Sequence, residues 1–259
     1  MDILNKFLGL YLVAAIAVFA YMAVWFFFGL LRKRNDVADE AWGLGFIFIS
    51  YLSLVYSNSF GILNLVVAML VTLWGLRLFY HISTRHKGKP EDNRYQEFRE
   101  SWDKYFLLKS FFIVYLFQGF LMLLVSAPIV LLSLQPRSIS GLAILGIFIW
   151  AIGYIFEVTA DAQLRRFMGH PGNKGKLMTN GLWRYSRHPN YFGEVLIWWG
   201  IFVISLSTGS WLGVFGPITI TYLLVFVSGI PMLEKHYSGR PDWEEYKKKT
   251  SALLPLPPK

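Results

Sequence analysis

The densest group of residues capable of chemistry lies between Lys176 and Glu194, directly before a long apolar run. Pro189 favours a helix start there, because its missing N–H costs nothing in the first turn of a helix. Such a helix would present free N–H groups and the positive end of its dipole close to His188, which suits a phosphate group. Asn190 and Glu194 are four residues apart and would share one helical face. The stretch predicts an anion-binding site, with an ion pair from Glu194 to a nearby arginine as the alternative.

A stripe of charged side chains closes the preceding apolar run, because Glu157, Asp161 and Arg165 recur at every fourth residue. Charges that face lipid are costly, so the stripe should face the interior of a helical bundle and line a polar cavity. The alternative is a ladder in which the two acids and the arginine satisfy one another.

Acids and aromatic residues also lie at the ends of two earlier apolar runs. One group consists of Asp39, Glu40 and Trp42, and the other of Trp74, Arg77 and Tyr80. Ionisable groups at membrane depth are functional candidates by default. For Arg77 the alternative is a side chain that extends to the membrane surface.

Two polar segments outside the apolar runs add further candidates. Pro90 would lie just before a helix with Arg94 and Arg99 in its first turns, and guanidinium groups match the oxygens of phosphate. A solvated surface helix is the alternative there. Glu234 lies where the last apolar run ends, and it would either orient a bound group or pair with a neighbouring lysine.

The composition indicates that the elements carrying these candidates cross a membrane. The 259 residues are 55% hydrophobic and 16% charged, and the mean hydropathy of +0.44 is high for a water-soluble domain. A bilayer core needs about 20 apolar residues per helix. We find seven runs, near Phe7 to Leu31, Ala41 to Tyr56, Gly61 to Ile82, Phe106 to Leu134, Gly141 to Glu157, Pro189 to Ser207 and Trp211 to Leu233. The sequence predicts an all-α polytopic membrane protein with seven transmembrane helices in a single domain, residues 1–259.

The charges of the connecting segments predict the orientation. Lys and Arg collect after the first, third and fifth runs and in the tail, whereas segments 57–60 and 207–210 contain neither. Because cytoplasmic loops carry such an excess, the amino terminus should lie outside and the carboxyl terminus in the cytosol. The net charge of +9 has two interpretations. It reflects this topology and contact with anionic lipid, or it forms a basic entrance to a site for an anionic cofactor.

Composition also excludes several kinds of chemistry. The chain has no Cys, so disulfides, thiolate zinc sites and cysteine nucleophiles are excluded. We predict no metal site. No recognised nucleic-acid-binding motif accompanies the positive charge, so we predict no nucleic-acid partner.

Several of these segments together resemble the steroid 5-alpha-reductase family, and its bacterial membrane members in particular. The resemblance rests on GLWRYSRHPNYFGE at 181–194, PEDNRY at 90–95, the acid three residues before Trp42, and the closing tyrosine-to-proline segment. It covers nearly the whole chain. The stretch at 181–194 is also shared with isoprenylcysteine carboxyl methyltransferases and sterol reductases.

The resemblance implies an NADPH-dependent reduction of an apolar enone, such as a 3-oxo-4-ene steroid, in a lipid-accessible cavity. Residues 7–134 would form mainly the substrate cavity, and residues 141–259 mainly the cofactor site. In the family a glutamate and a tyrosine polarise the ketone, and the candidates for these roles here are Glu40, Asp39 and Tyr80. The implied substrate contacts are Trp42, Trp74 and Arg77. The implied cofactor contacts are Arg94, Tyr95, Glu157, Asp161, Arg165, Lys176, Leu177, Tyr185, His188, Asn190, Glu194, Glu234, His236 and Tyr237.

On this interpretation the protein is a monomer in a bacterial inner membrane, with its active site open to the cytosol and a steroid or lipid as substrate. Membrane lipids would be its other partners. Two other functions are compatible with the sequence. A methyltransferase using S-adenosylmethionine would share the segment RHPNYFGE at 187–194, although the PEDNRY segment argues against it. A non-enzymatic lipid-binding scaffold would rest on the hydrophobic bundle alone.

Overall fold

The computed structural model describes residues 3–259, and seven helices in that range are long and apolar enough to cross a membrane. In chain order they are α1 (Leu4–Arg32), α2 (Val37–Ser57), α3 (Ile62–His86), α4 (Asn93–Val125), α5 (Gly141–Gly169), α6 (Pro189–Thr208) and α7 (Leu212–Tyr237). Two shorter helices, Ala127–Leu132 and Pro241–Lys249, follow α4 and α7. The described residues contain no named strand. The prediction of an all-α polytopic membrane protein is confirmed.

The second and fourth helices begin in polar residues ahead of their apolar runs. The second begins at Val37 and the fourth at Asn93, because a hydropathy pattern records only the apolar part of a helix that continues into polar residues. The Asp92 side chain caps the fourth helix by accepting a hydrogen bond from the Arg94 backbone N–H at 3.0 Å. As a result, the acids before Trp42 and the PEDNRY tyrosine lie within the first turns of membrane-spanning helices.

The described residues fall into two compact units. The first contains the described chain through Ser140 together with Ser207–Phe215, and the second contains Gly141–Leu206 and Gly216–Lys259. This boundary lies close to the division that the sequence indicates between a substrate half and a cofactor half. The assignment of one domain with these two roles stays a prediction.

Small residues bring helix backbones close together inside each unit. In the first unit, a Cβ on Gly43 of α2 would collide with the carbonyl oxygen of Gly75 of α3. In the second, a Cβ on Gly153 of α5 would lie 2.6 Å from the carbonyl oxygen of Gly193 of α6. Membrane helices use such glycines because packing, and not water exclusion, holds them together. The close approach fixes which side chains of adjacent helices can meet.

Candidate active site

A network of charged groups ties the start of α2 to the loop before α4 in the first unit. Arg34 binds the fully buried Asp36 through two nitrogens, at 2.8 and 2.7 Å. The backbone N–H of Asp92 donates to the same carboxylate at 3.0 Å. Burial opposes ionisation of Asp36, but these donors outweigh it and hold its pKa below the usual value. The network anchors the PEDNRY segment beside α2.

Asp39 lies one turn into α2 and is fully engaged by α4. Arg94 donates to one of its oxygens at 2.9 Å, and the phenol of Tyr95 donates to the other at 2.8 Å. Gln118 in turn donates to the Tyr95 oxygen at 3.3 Å. Arg94 and Tyr95, which the resemblance assigns to the cofactor, therefore hold one of the candidate catalytic acids.

Glu40, the next residue, faces a different helix and a cavity. Its carboxylate lies 3.1 Å from Nδ1 of His86 at the end of α3, and the two residues are only 6% and 8% exposed. The other ring nitrogen, Nε2, is buried and has no hydrogen-bond partner among the described residues, and neither has the buried hydroxyl of Ser83. A cavity of about 460 Å³ is lined by Arg32, Arg34, Glu40, Phe79, Ser83, His86, Lys87 and Gly88.

The face of α3 that lines this cavity explains the position of Tyr80. Phe79, Ser83 and His86 follow one another at spacings of four and three residues, which places them on one helical face. Tyr80 projects about 100° around the helix from Phe79, and its side chain is 61% exposed. Of the three candidate catalytic residues, Glu40 lines the cavity, Asp39 is held by α4, and Tyr80 lies on the exposed side of α3.

The residues expected to contact substrate form a layer between α2 and α3. The ring of Trp42 packs edge-on against Phe46, and Phe46 packs against the fully buried Trp74, with centroid distances of 5.4 and 5.6 Å. Arg77 is half-buried one turn further along α3. None of the three predicted residues is among those lining the 460 Å³ cavity in the described chain.

In the second unit, Glu234 near the end of α7 is held by several cations. Arg187 contacts one of its oxygens at 2.9 and 2.8 Å, and Nε2 of His188 lies 3.2 Å from the same oxygen. Lys247 is 3.7 Å from the other oxygen. Burial lowers the pKa of His188, although the contact with Glu234 opposes this shift. Glu234 and His188 were predicted from the sequence, whereas Arg187 was not among the candidates.

The carboxyl-terminal segment packs against the loop that precedes α6. Ser186 and Ser251 form a parallel bridge, with Arg187 N–H donating to the Ser251 carbonyl at 2.8 Å. The Ser186 hydroxyl donates to the Leu253 carbonyl at 2.8 Å, and the Tyr246 phenol donates to the Trp183 carbonyl. The carboxyl-terminal segment therefore holds the loop that carries Arg187 and His188. No local pattern in the sequence indicates this contact.

The charged stripe of α5 separates into a buried part and an exposed part. Glu157 and Asp161 are buried, as the stripe predicts, and Asp161 accepts a hydrogen bond from Asn190 of α6 at 3.2 Å. Glu194 is also buried. Arg165 is exposed. The close packing of α5 on α6 thus concentrates three carboxyl groups and one amide near the start of α6.

The remaining predicted cofactor residues lie on the surface of the second unit. Lys176, Tyr185 and His236 are exposed, and Leu177 is half-buried. Tyr237 stacks on Trp243 of the terminal helix, with ring centroids 5.1 Å apart. The cofactor role of these residues stays a prediction.

Together, these features define a polytopic helical membrane protein with buried ionisable groups near the ends of its spans. The chain belongs to the family described as "Protein of unknown function (DUF1295)", which matches residues 25–250. It is 24% identical over 219 residues to an uncharacterised protein of Schizosaccharomyces pombe, covering 71% of this chain and 64% of that one.

Two enzymes are also similar to this chain. It is 30% identical to 3-oxo-5-alpha-steroid 4-dehydrogenase 1 of Bos taurus over 123 residues, 47% of this chain and 43% of that protein. It is 26% identical to very-long-chain enoyl-CoA reductase of Dictyostelium discoideum over 113 residues, 43% of this chain and 35% of that protein. The chain spans less than two thirds of the length of each of these relatives. The resemblance to the steroid 5-alpha-reductase family is confirmed.

Proposed function

We propose that this protein is a membrane oxidoreductase that reduces the carbon–carbon double bond of an apolar enone with NADPH. The observation that carries the proposal is the buried Glu40–His86 pair, 3.1 Å apart, in the wall of the 460 Å³ cavity. That volume lies within the range of small-molecule sites, roughly 300–1,000 Å³. The names of the relatives, a steroid dehydrogenase and an enoyl-CoA reductase, support the same type of bond as the reacting group.

The exposed cations and the buried acidic group of the second unit suit the binding of a phosphorylated dinucleotide. Arg165, Arg166 and Lys176 are exposed cations. Such groups match phosphate oxygens. The Asp161–Asn190 pair, 3.2 Å apart, offers acceptors and a donor of the kind that hold ribose hydroxyls. We assign the phosphates to the three cations and the ribose to the acidic group of α5 and α6.

When bound, the reduced nicotinamide supplies a hydride for the β carbon of the enone. Hydride addition leaves negative charge on the carbonyl oxygen, so a hydrogen-bond donor fixed at that oxygen accelerates the reaction. The Glu40–His86 end of the cavity supplies this donor, and Ser83 lies one helical turn away on the same wall. Phe79 gives the cavity an apolar surface for the ring system of the substrate.

The substrate is a steroid or another flat lipid that enters from the membrane, and the protein works as a monomer with the cavity open to the cytosol of a bacterial cell. The excess of Lys and Arg after α1, α3 and α5 supports this orientation. Both the 3-oxo-4-ene steroids and α,β-unsaturated thioesters present a carbonyl conjugated to the double bond. A panel of the two substrate types therefore tests the substrate class while the conjugated carbonyl is kept.

The test is NADPH oxidation by the purified protein in detergent with a 3-oxo-4-ene steroid. We expect turnover, and we expect Glu40→Gln to lower kcat by about 100-fold, because it disturbs the donor that Glu40 holds in place and loss of such a donor has this cost. Glu97→Gln, on the exposed side of α4, is the matched control and should keep the wild-type rate. Release of S-adenosylmethionine from the purified protein would favour a methyltransferase instead. Absence of any nucleotide affinity would favour a lipid-binding scaffold.

A further inference from the structure

The imidazole of His86 is buried, belongs to the cavity wall, and has one nitrogen bound and the other unpartnered. Its Nδ1 lies 3.1 Å from the Glu40 carboxylate. Its Nε2 has no hydrogen-bond partner in the described part of the chain, although the residue is only 8% exposed. Buried polar atoms are nearly always paired, so an unpaired nitrogen in the wall of a cavity indicates a role toward a ligand.

We propose that His86 is the proton donor of the reaction and that Glu40 is its positioning residue. This proposal rests on the proposed reductase function and names the acid of that site. A carboxylate that accepts from Nδ1–H leaves Nε2 as the nitrogen that gains and loses the proton. The same arrangement of carboxylate and imidazole orients the base of hydrolytic triads.

The reaction balances with His86 in this role. Hydride addition would form a C–H bond at the β carbon of the enone as a C–H bond of the hydride donor breaks. The C=C π pair becomes a double bond between the α carbon and the carbonyl carbon, and the C=O π pair moves to the oxygen. The N–H bond at Nε2 then breaks as an O–H bond forms, which gives the enol. Tautomerisation moves a proton to the α carbon, and water returns a proton to Nε2. Two electrons leave the reduced nicotinamide and enter the enone, and one proton is consumed.

The charged groups around the His86 ring determine the electrostatic environment of a ligand in this cavity. Glu40 is the carboxylate in contact with it, and the cavity wall also carries the cations Arg32, Arg34 and Lys87. Arg34 is bound to Asp36. An oxygen that becomes negative in this cavity would therefore meet an imidazolium and an excess of positive charge, which favours proton delivery to it.

The first experiment compares His86→Gln with His81→Gln, a histidine on the same helix that does not line the cavity. We expect His86→Gln to lower kcat about 100-fold, the usual contribution of a positioned acid, and His81→Gln to stay within about twofold of wild type. The dependence of kcat on pH in the wild type should be lost in His86→Gln. Added imidazole should restore part of the rate, which a purely structural histidine would not allow.

The second experiment reads the histidine ring directly in the wild-type protein, without turnover. The ¹⁵N shifts of the histidine rings in the wild-type protein should show His86 as the Nδ1–H tautomer when neutral, and Glu40→Gln should alter that signal. A neutral Nε2–H tautomer, or a His86→Gln protein with the wild-type rate and pH profile, would overturn the role of His86 while leaving a reductase in place. A wild-type protein that oxidises NADPH with no enone would overturn both proposals.

Discussion

Two carboxylate–histidine pairs, one in each unit, differ in how completely their partners satisfy them. Glu40 and His86 lie 3.1 Å apart, and Glu234 and His188 lie 3.2 Å apart. Glu234 also binds Arg187, and the His188 ring stacks on Tyr191 with centroids 5.5 Å apart. His86 keeps a buried nitrogen without a partner and lines a cavity. The same two residue types therefore stabilise the fold in one unit and form a candidate reactive group in the other.

The surrounding cations explain this difference. A carboxylate with an arginine, a histidine and a lysine within 4 Å is an ion-pair centre, and removing one partner leaves a buried charge uncompensated. Glu40 instead contacts an imidazole whose second nitrogen has no partner among the described residues. The comparison predicts that variants of the Glu234 centre change stability first, whereas variants of the Glu40 pair change turnover first.

The largest effect should come from Arg187→Ala. If this variant were as stable as the wild type, the stabilising role of the Glu234 centre would be wrong. Arg187 is 8% exposed and also donates to the Thr250 carbonyl, so its loss leaves both Glu234 and the tail without their main partner. We expect a loss of about 3–5 kcal/mol in the free energy of unfolding, measured by thermal or denaturant unfolding in detergent. Arg184→Ala, an exposed arginine three residues earlier, should have little effect.

A smaller effect should come from Tyr95→Phe, which sharpens the contrast between Asp39 and Glu40. The phenol is 4% exposed and donates to Asp39 at 2.8 Å, so its removal should cost about 1 kcal/mol of stability. Tyr80→Phe alters a side chain that is 61% exposed, and we expect it to keep both stability and turnover. Loss of turnover in Tyr80→Phe with full activity in Tyr95→Phe would restore Tyr80 as the family tyrosine.

The smallest effect should be a pH dependence that is specific to His188. Burial lowers its pKa in the folded protein, so the folded state binds the proton less readily than the unfolded state. The contribution of neutral His188 to the folding stability is therefore complete above the pKa of histidine in the unfolded state, about 6.5. This contribution is lost as the pH falls below that pKa. Unfolding curves between pH 8 and roughly pH 5 should show this loss in the wild type and a flatter profile in His188→Gln. An unchanged slope would mean that His188 is not the responsible group.

The pattern of apolar runs was sufficient to predict the helices, because spanning a bilayer is a requirement on local length and hydropathy. The predicted boundaries were less accurate at α2 and α4, where polar residues continue the helix beyond its apolar part. The charged stripe at Glu157 and Asp161 was also visible locally, since both lie on one face of a single helix.

The pairings of the candidate site were beyond the reach of the sequence. Glu40 and His86 are 46 positions apart, Asp39 and Tyr95 are 56 apart, and Arg187 and Glu234 are 47 apart. Which of the two adjacent acids meets which helix depends on how α2 is rotated against α3 and α4. The close approach of Gly43 to Gly75 restricts the packing of α2 on α3. The sequence alone thus determined a seven-helix membrane protein with polar groups near the ends of its spans, because hydropathy and spacing are local. Only the tertiary structure decided that Glu40 faces a cavity with His86, because helix packing fixes the orientation of each side chain.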